Sequence, residues 1–464
     1  MTENREPLPG ARASDRLGDL LARVAGGLDR GQLPVEVFGD PAVYERELAN
    51  VFARCWLFVG HVSEVPNPGD FVRRRMGSDE IILIRADDGR LNVLLNHCRH
   101  RGTQLCRADA GQTRQFRCPY HFWTYDIEGR LIAAPDQDRA YRQLDRQAWG
   151  LWRAPHVDVY QGLVFASADP QAVPLREYLG DMAWYLDVAL GVAPGGMRVV
   201  GAPHRWLVPA DWKSGAENFA GDAYHVPALH RSAQKVGVVP DIGKAVTGQM
   251  HVVLEDGHGV LVGRKQLPEP WGLLSHPPEV ADAVFDTASL TAAQRAFVQD
   301  YTVTTFTVFP NFSFIRVPGQ VDRAGSPPTV YTLLRQWQPR GPGAMEVWSW
   351  LLTFVDAPAW FQDMSSDAAH SSFGPAGFLE QDDAVAWSGA PLLARSAVAR
   401  RAGLTLNYQL GLDGMSDYPP VADWMGPGRA HATVLGEAPQ RRFFRRWLRE
   451  MSEQPSVAGA EAGR

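Results

Sequence analysis

Apolar positions near the start of the chain recur at helical spacing. In residues 15–30 (DRLGDLLARVAGGLDR), Leu17, Leu20, Leu21, Val24 and Leu28 share one face, which predicts an amphipathic helix. A second helix is predicted over 41–55, where Pro41 sits in the first turn and its missing N–H costs nothing. From about 56 to 169 the period shortens. β-rich runs at 81–85, 91–95, 115–117 and 162–166 alternate with turn clusters at 66–70, 87–89 and 128–129, as in a small antiparallel β-domain. Beyond 169 the two periods mix. Residues 175–192 read as helix, and 205–209 and 251–262 as strands. Residues 302–317 open with Val303, Thr305, Thr307 and Phe309 at alternate positions, and 347–354 is another strand-rich run. The predicted fold class is α+β, with a small antiparallel β-domain and a larger domain whose antiparallel sheet is surrounded by helices.

The chain carries 46 Lys and Arg against 52 Asp and Glu, a net charge of −6. A whole-chain nucleic-acid binder would be basic, so that class is disfavoured. Hydrophobic residues at 45% exclude global disorder. The polar opening MTENREPLPG has no signal-peptide run behind it, and no stretch approaches the ~18 apolar residues of a membrane span. A cytoplasmic location without membrane association is therefore expected. The tail 452–464 is small and polar and is expected to fray. Four cysteines are too few for a disulfide framework at this length. In a reducing compartment, cysteines spaced closely with histidines point to metal first.

Two such pairs exist. Cys98-Arg-His100 is followed, after seventeen residues, by Cys118-Pro-Tyr-His121. Each half offers one thiolate and one imidazole to a shared centre. The set suits a tetrahedral zinc site. It also suits a Rieske [2Fe–2S] cluster, with both thiolates on one iron and both imidazoles on the other. Zinc fingers usually keep like ligands together, so the alternation favours the cluster. Cys55 and Cys106 have no histidine at ligand spacing and read as buried small hydrophobes. The strings NHCRHRG (96–102) and CPYHFWTYDIEGRL (118–131) resemble the two cluster-binding loops of Rieske oxygenases. One position departs: the family usually has glycine where this chain has Phe122.

A second constellation lies in DWKSGAENFAGDAYHVPALH (211–230). Residues 217–224 are predicted helical, with Pro227 perturbing the helix beyond, so Asp222 and His225 would share a face. His225 and His230 with one carboxylate make the facial triad of non-haem Fe(II) oxygenases. On spacing alone, packing or surface roles compete for the two histidines. ENFAGDAYH with a downstream histidine, however, is similar to the mononuclear-iron motif of Rieske ring-hydroxylating oxygenases. The resemblance puts the third ligand in FGPAGFLEQDD (373–383), favouring Asp383, with Asp382 as a hydrogen-bonding neighbour. Adjacent residues point in different directions, so one of the two should reach the metal.

The resemblance covers most of residues 40–450 and implies three segments. These are an N-terminal helical stretch (1–45) packing on the catalytic domain, a Rieske domain (46–169) and a catalytic mononuclear-iron domain (170–464). It implies a terminal oxygenase large subunit that takes electrons from NAD(P)H through a reductase and a ferredoxin. It implies a head-to-tail homotrimer of α subunits, with or without a small β subunit. Asp222 would then bridge a cluster histidine, His121, of one subunit to His225 of the next, with Asn218 beside the iron. Phe219, Val226, Phe373, Phe378, Leu379 and Trp387 would fall in or near the substrate pocket, which suits a hydrophobic aromatic. The arginine-rich segment 440–451 reads as a docking helix with solvated arginines. Two alternatives stay open: a Rieske monooxygenase or demethylase, and a metal or electron-transfer protein without oxygenase chemistry.

Overall fold

A computed structural model describes residues 9–236, 247–264, 273–319, 329–412 and 420–453. The tail expected to fray falls almost wholly in 454–464, outside the described residues. The chain divides into two compact units. One holds Phe52–Tyr178 with Met197–Val199; the other holds Met1–Val51, Leu179–Gly196 and Val200–Glu453. Both contain antiparallel sheets, and the helices belong mostly to the larger unit.

The smaller unit stacks three short sheets. Four strands run in the order Leu91–Leu95, Asp79–Arg85, Asp70–Met76, Ala110–Gln112. Gln115–Arg117, Thr124–Asp126 and Leu131–Ala133 form the second sheet. His156–Tyr160, Leu163–Ser167 and Leu57–His61 form the third. Their inward residues (Phe71, Ile82, Ile84, Leu94, Phe116, Trp123 and Tyr125) close a core that also buries Cys98, Cys106 and Cys118.

The larger unit is built on an eight-stranded sheet. Its order is Met197–Val208, Ala344–Phe354, Thr329–Gly341, Phe312–Gly319, Tyr301–Val308, Gly259–Arg264, Gln249–Val253, Arg429–His431. From the second strand onward every neighbouring pair is antiparallel. The run 251–262 is thus not one strand but parts of two. Gly257, at φ +78°, turns the chain into a hairpin between them.

Helix Trp212–Phe219 lies against this sheet, capped by Asp211, whose carboxylate accepts the Lys213 amide at 3.0 Å. The Lys213 ammonium is fully buried, 2.6 Å from both Glu47 and Asp211. Glu47 also accepts the indole N–H groups of Trp212 and Trp447. One carboxylate therefore ties the N-terminal region, this helix and the C-terminal helix Ala438–Ser452 together. The arginines of that last helix are solvated only in part: Arg449 is exposed as expected, but others are engaged. Arg441 is buried and donates to the carbonyls of Tyr408 and Leu410, while Arg442, Arg445 and Arg446 pair with Glu255, Asp29 and Glu450.

Candidate functional site

The two Cys/His loops are built alike. In each, the cysteine N–H donates to the carbonyl five residues on (Cys98 to Thr103, 2.9 Å; Cys118 to Trp123, 2.8 Å). In each, the N–H four residues on returns to the cysteine carbonyl (Gly102 to Cys98, 2.8 Å; Phe122 to Cys118, 3.0 Å). Closing that turn needs a left-handed residue at the fourth position. Gly102 has φ +72° and Phe122 φ +57°. Glycine adopts that conformation freely, whereas phenylalanine is strained there. The Phe122 ring is 56% exposed and lies under the Arg117 guanidinium rather than crowding the cluster histidine.

The loops bring Cys98, His100, Cys118 and His121 together. The imidazoles approach to 4.6 Å between centroids, and both thiols are buried. The Nδ1 atoms of His100 and His121 are buried without a hydrogen-bond partner. Two orphaned ring nitrogens beside two buried thiols fit a cluster that would take all four as ligands. Tyr125, fully buried, holds its hydroxyl 3.4 Å from the Cys98 sulfur. That oxygen already accepts the Arg99 N–H at 3.1 Å, so its own proton is free to point at sulfur.

In the larger unit the predicted helix over 217–224 is not found. The helix ends at Phe219, and Asp222 sits on the following turn. Packing after the helix end is close enough to demand glycine: a Cβ on Gly221 would meet Pro439 at 2.8 Å, and one on Gly259 would meet the Ala220 carbonyl at 2.3 Å. The chain then makes a one-turn helix, Val226–Leu229, with His225 at its N-cap and His230 at its C-cap. Pro227 opens this turn rather than disturbing a longer helix, because a first-turn N–H needs no partner.

Asp383 comes from helix Phe378–Trp387. Its Oδ1 lies 3.6 Å from His225 Nε2 and 3.3 Å from His230 Nε2. Ligand atoms of His225, His230 and Asp383 all fall within 4.8 Å of one another, a spread that one metal ion would span. The far side of each ring has its own acid. His225 Nδ1 is 3.0 Å from Asp222 Oδ1, and His230 Nδ1 is 3.3 Å from Asp382 Oδ2. Such partners fix the tautomer that leaves Nε2 free for metal. Asn218 Nδ2 reaches Asp222 at 3.3 Å. Burial would push His225 down, but its contacts with Asp222 and Asp383 outweigh it and raise it.

A cavity of about 310 Å³ opens behind this cluster, lined by Glu217, Asn218, Asp222, Tyr224, Trp387, Tyr408 and Glu437. Burial pushes the Glu217 carboxyl up to about 8, against the opposing Tyr408 hydrogen bond at 2.7 Å and with help from Asp222 and Glu437. Of the six apolar pocket residues expected, Trp387 lines this cavity. Phe373 lines another of about 270 Å³ with His204, His370 and Leu333. Phe219 packs into the core against Trp337, which in turn meets Trp387. Val226, Phe378 and Leu379 line neither cavity. Sequence reasoning missed Glu217, Tyr408 and Glu437. Glu217 adjoins Asn218 in the motif, but nothing local marks Tyr408, 191 residues away.

Residues 55–158 match the family described as Rieske [2Fe-2S] domain, and 175–453 match the catalytic domain of the ring-hydroxylating alpha subunits. The chain belongs to the ring-hydroxylating alpha-subunit family. This α subunit is 37% identical to the N,N-dimethyl phenylurea N-demethylase subunit alpha of Sphingobium sp. (strain YBL2), over 94% of the chain and 95% of the relative. It is 34% identical to the biphenyl dioxygenase subunit alpha of Paraburkholderia xenovorans (strain LB400), over 93% of each. Its structure is similar to naphthalene 1,2-dioxygenase from Rhodococcus sp. bound to indole, with TM-score 0.86 and 37% identity, covering 95% of this chain and 99% of that one. The α subunit is thus a Rieske non-haem iron oxygenase whose cofactors are a [2Fe–2S] cluster and a mononuclear iron. Among the described residues no helix is long and apolar enough to cross a membrane.

Proposed function

We propose that this α subunit is the terminal oxygenase of a multicomponent system that adds both atoms of O2 to a hydrophobic aromatic as a cis-dihydrodiol. The observation that carries this is the convergence of His225, His230 and Asp383 in a chain that also presents two Cys/His loops. Cys98, His100, Cys118 and His121 hold the cluster; His225, His230 and Asp383 hold the iron. When bound, the two groups supply one-electron storage and O2 activation. Substrate, O2, two electrons and two protons balance to the diol. The residues keep the ring nitrogens oriented: Asp222 and Asp382 hold the Nδ1 sides, so that Nε2 faces the metal. Electrons come from NAD(P)H through a reductase and an iron–sulfur carrier. The assembly is a trimer of α subunits in the cytoplasm, alone or with a small β subunit, in which Asp222 links His225 to a cluster histidine of the neighbouring subunit.

A demethylase or monooxygenase reading is favoured by one observation, the 37% identity to a phenylurea N-demethylase subunit. The purified α subunit with its electron-transfer partners and a panel of arenes and N-methylated aromatics decides between them. A cis-diol bearing both atoms of ¹⁸O2 supports dihydroxylation. Formaldehyde release with a single labelled oxygen replaces it with demethylation.

A further inference from the structure

The cluster loops are not isolated at the surface of their unit. The His100 ring stacks on Trp123 at 5.0 Å and 10° between planes. Trp123 is buried, and its indole N–H is fixed by Tyr141 at 3.1 Å. Trp123 in turn meets Trp149 edge-on at 6.3 Å. Trp149 is 40% exposed, with Ile132 also exposed. A continuous run of π systems therefore leads from a cluster ligand to solvent.

The stretch of chain that supplies that run is positive. Residues 99–153 contain ten arginines and no lysine against six carboxylates, a local charge of +4 in a chain of −6. The Arg99 guanidinium lies 5.4 Å from the Trp149 ring and donates to the Gly150 carbonyl. Arg146 donates to the Ile132 carbonyl. Both arginines are exposed and spend their hydrogen bonds on backbone oxygens rather than carboxylates, so their charge stays available to a partner.

We propose that Trp149, Arg99 and Arg146 form the docking face for an acidic one-electron carrier protein, and that Trp149 and Trp123 conduct its electron to His100. The proposal rests on the cluster being held by the loops that carry Cys98 and His121. One electron leaves the carrier's reduced iron–sulfur centre and is taken up at the two-iron cluster. No bond forms or breaks, and neither indole changes oxidation state. A face of net positive charge repels a second copy of itself and steers an acidic protein toward it, with a rate that falls as salt is raised. An exposed aromatic with an arginine against its ring supplies the small apolar contact that transient redox encounters use.

The test uses the holo α subunit and a plant-type [2Fe–2S] ferredoxin, an acidic one-electron carrier, followed by stopped flow at several salt concentrations. The wild-type cluster is reduced at a rate that drops by about tenfold or more with rising salt. Arg99→Glu and Trp149→Leu each slow that reduction by about tenfold, and Trp149→Phe recovers most of the loss. Arg99→Glu also weakens calorimetric binding of the oxidised ferredoxin, a readout independent of turnover. Dithionite, which needs no docking, reduces all four proteins alike. The proposal fails if the variants accept electrons from ferredoxin at the wild-type rate, or if dithionite reduction slows in parallel. Self-association lost in Trp149→Leu, with ferredoxin reduction unchanged, overturns it in favour of a face between copies. A wild-type chain lacking labile sulfide would instead overturn the cluster assignment.

Discussion

Phe122 carries the clearest cost of any single residue in the site. Its backbone is held left-handed by the same turn that Gly102 closes without strain, and its ring makes little buried contact. Phe122→Gly is therefore expected to leave the cluster spectrum intact and thermal stability no lower, because it relieves about 1 kcal/mol of strain while losing an exposed ring. A drop in Tm would show that the ring packs more than its exposure implies. Asp222 is the opposite case, a side chain whose contacts are all to the iron side of the chemistry. Asp222→Asn should keep three irons and two sulfides per chain and slow product formation by tenfold or more; near-normal turnover would remove its bridging role. Glu217 gives a pH signature. Its folded carboxyl holds its proton up to about 8, while the unfolded chain gives it up near 4.5. The unfolded state binds fewer protons across that window, so this group's contribution to stability falls as pH rises through it. Glu217→Gln should gain stability relative to the parent between pH 5 and pH 8; parallel melting curves would refute this. The cluster ligands were legible in sequence because each loop packs its donors within four residues. Glu217's partner Tyr408 was not, because only the tertiary fold joins them.

At the scale of elements, the helix that supplies Asp383 is held by a buried ion pair. Arg335, fully buried on its central strand, donates to the Phe373 carbonyl at 3.0 Å and to Glu380 at 2.7 Å. It thereby joins the end of helix Ala359–Phe373 to the start of Phe378–Trp387. Burial pushes Glu380 up to about 7 despite the nearby arginine. Removing one partner leaves the other charge buried and alone, at a cost of about 3–5 kcal/mol. Arg335→Ala should lower the denaturation midpoint accordingly and loosen iron, while Arg335→Met paired with Glu380→Leu recovers most of the stability. Equal stability of parent and Arg335→Ala would contradict it. Strands such as Leu91–Leu95 and Gln115–Arg117 were readable from alternation. The early stop of helix Trp212–Phe219 was not. The local pattern suggests continuing through Tyr224, whereas the folded chain turns after Phe219 and packs so closely at Gly221 and Gly259 that a Cβ would clash at either.

For the whole molecule, the family follows from two motifs, yet the route between them and the choice of substrate do not. Composition set limits without pointing to chemistry: a net charge of −6 hid a cluster domain whose loops are locally basic. The break after Phe219 has one further consequence. Because His225 and His230 cap a single turn instead of riding a long helix, two imidazoles and three carboxylates crowd one spot, and Asp222, His225 and His230 have little regular backbone to hold them. A divalent ion neutralises that crowding and knits the turn to helix Phe378–Trp387. Chelation of the mononuclear iron should therefore raise amide exchange across 220–235 while the eight-stranded sheet stays protected, and unchanged exchange there would argue for a preformed site. If so, iron content and local folding are a single variable. A preparation's specific activity then counts the fraction of molecules in which this stretch is folded, and storage losses would be losses of local structure before they are losses of chemistry.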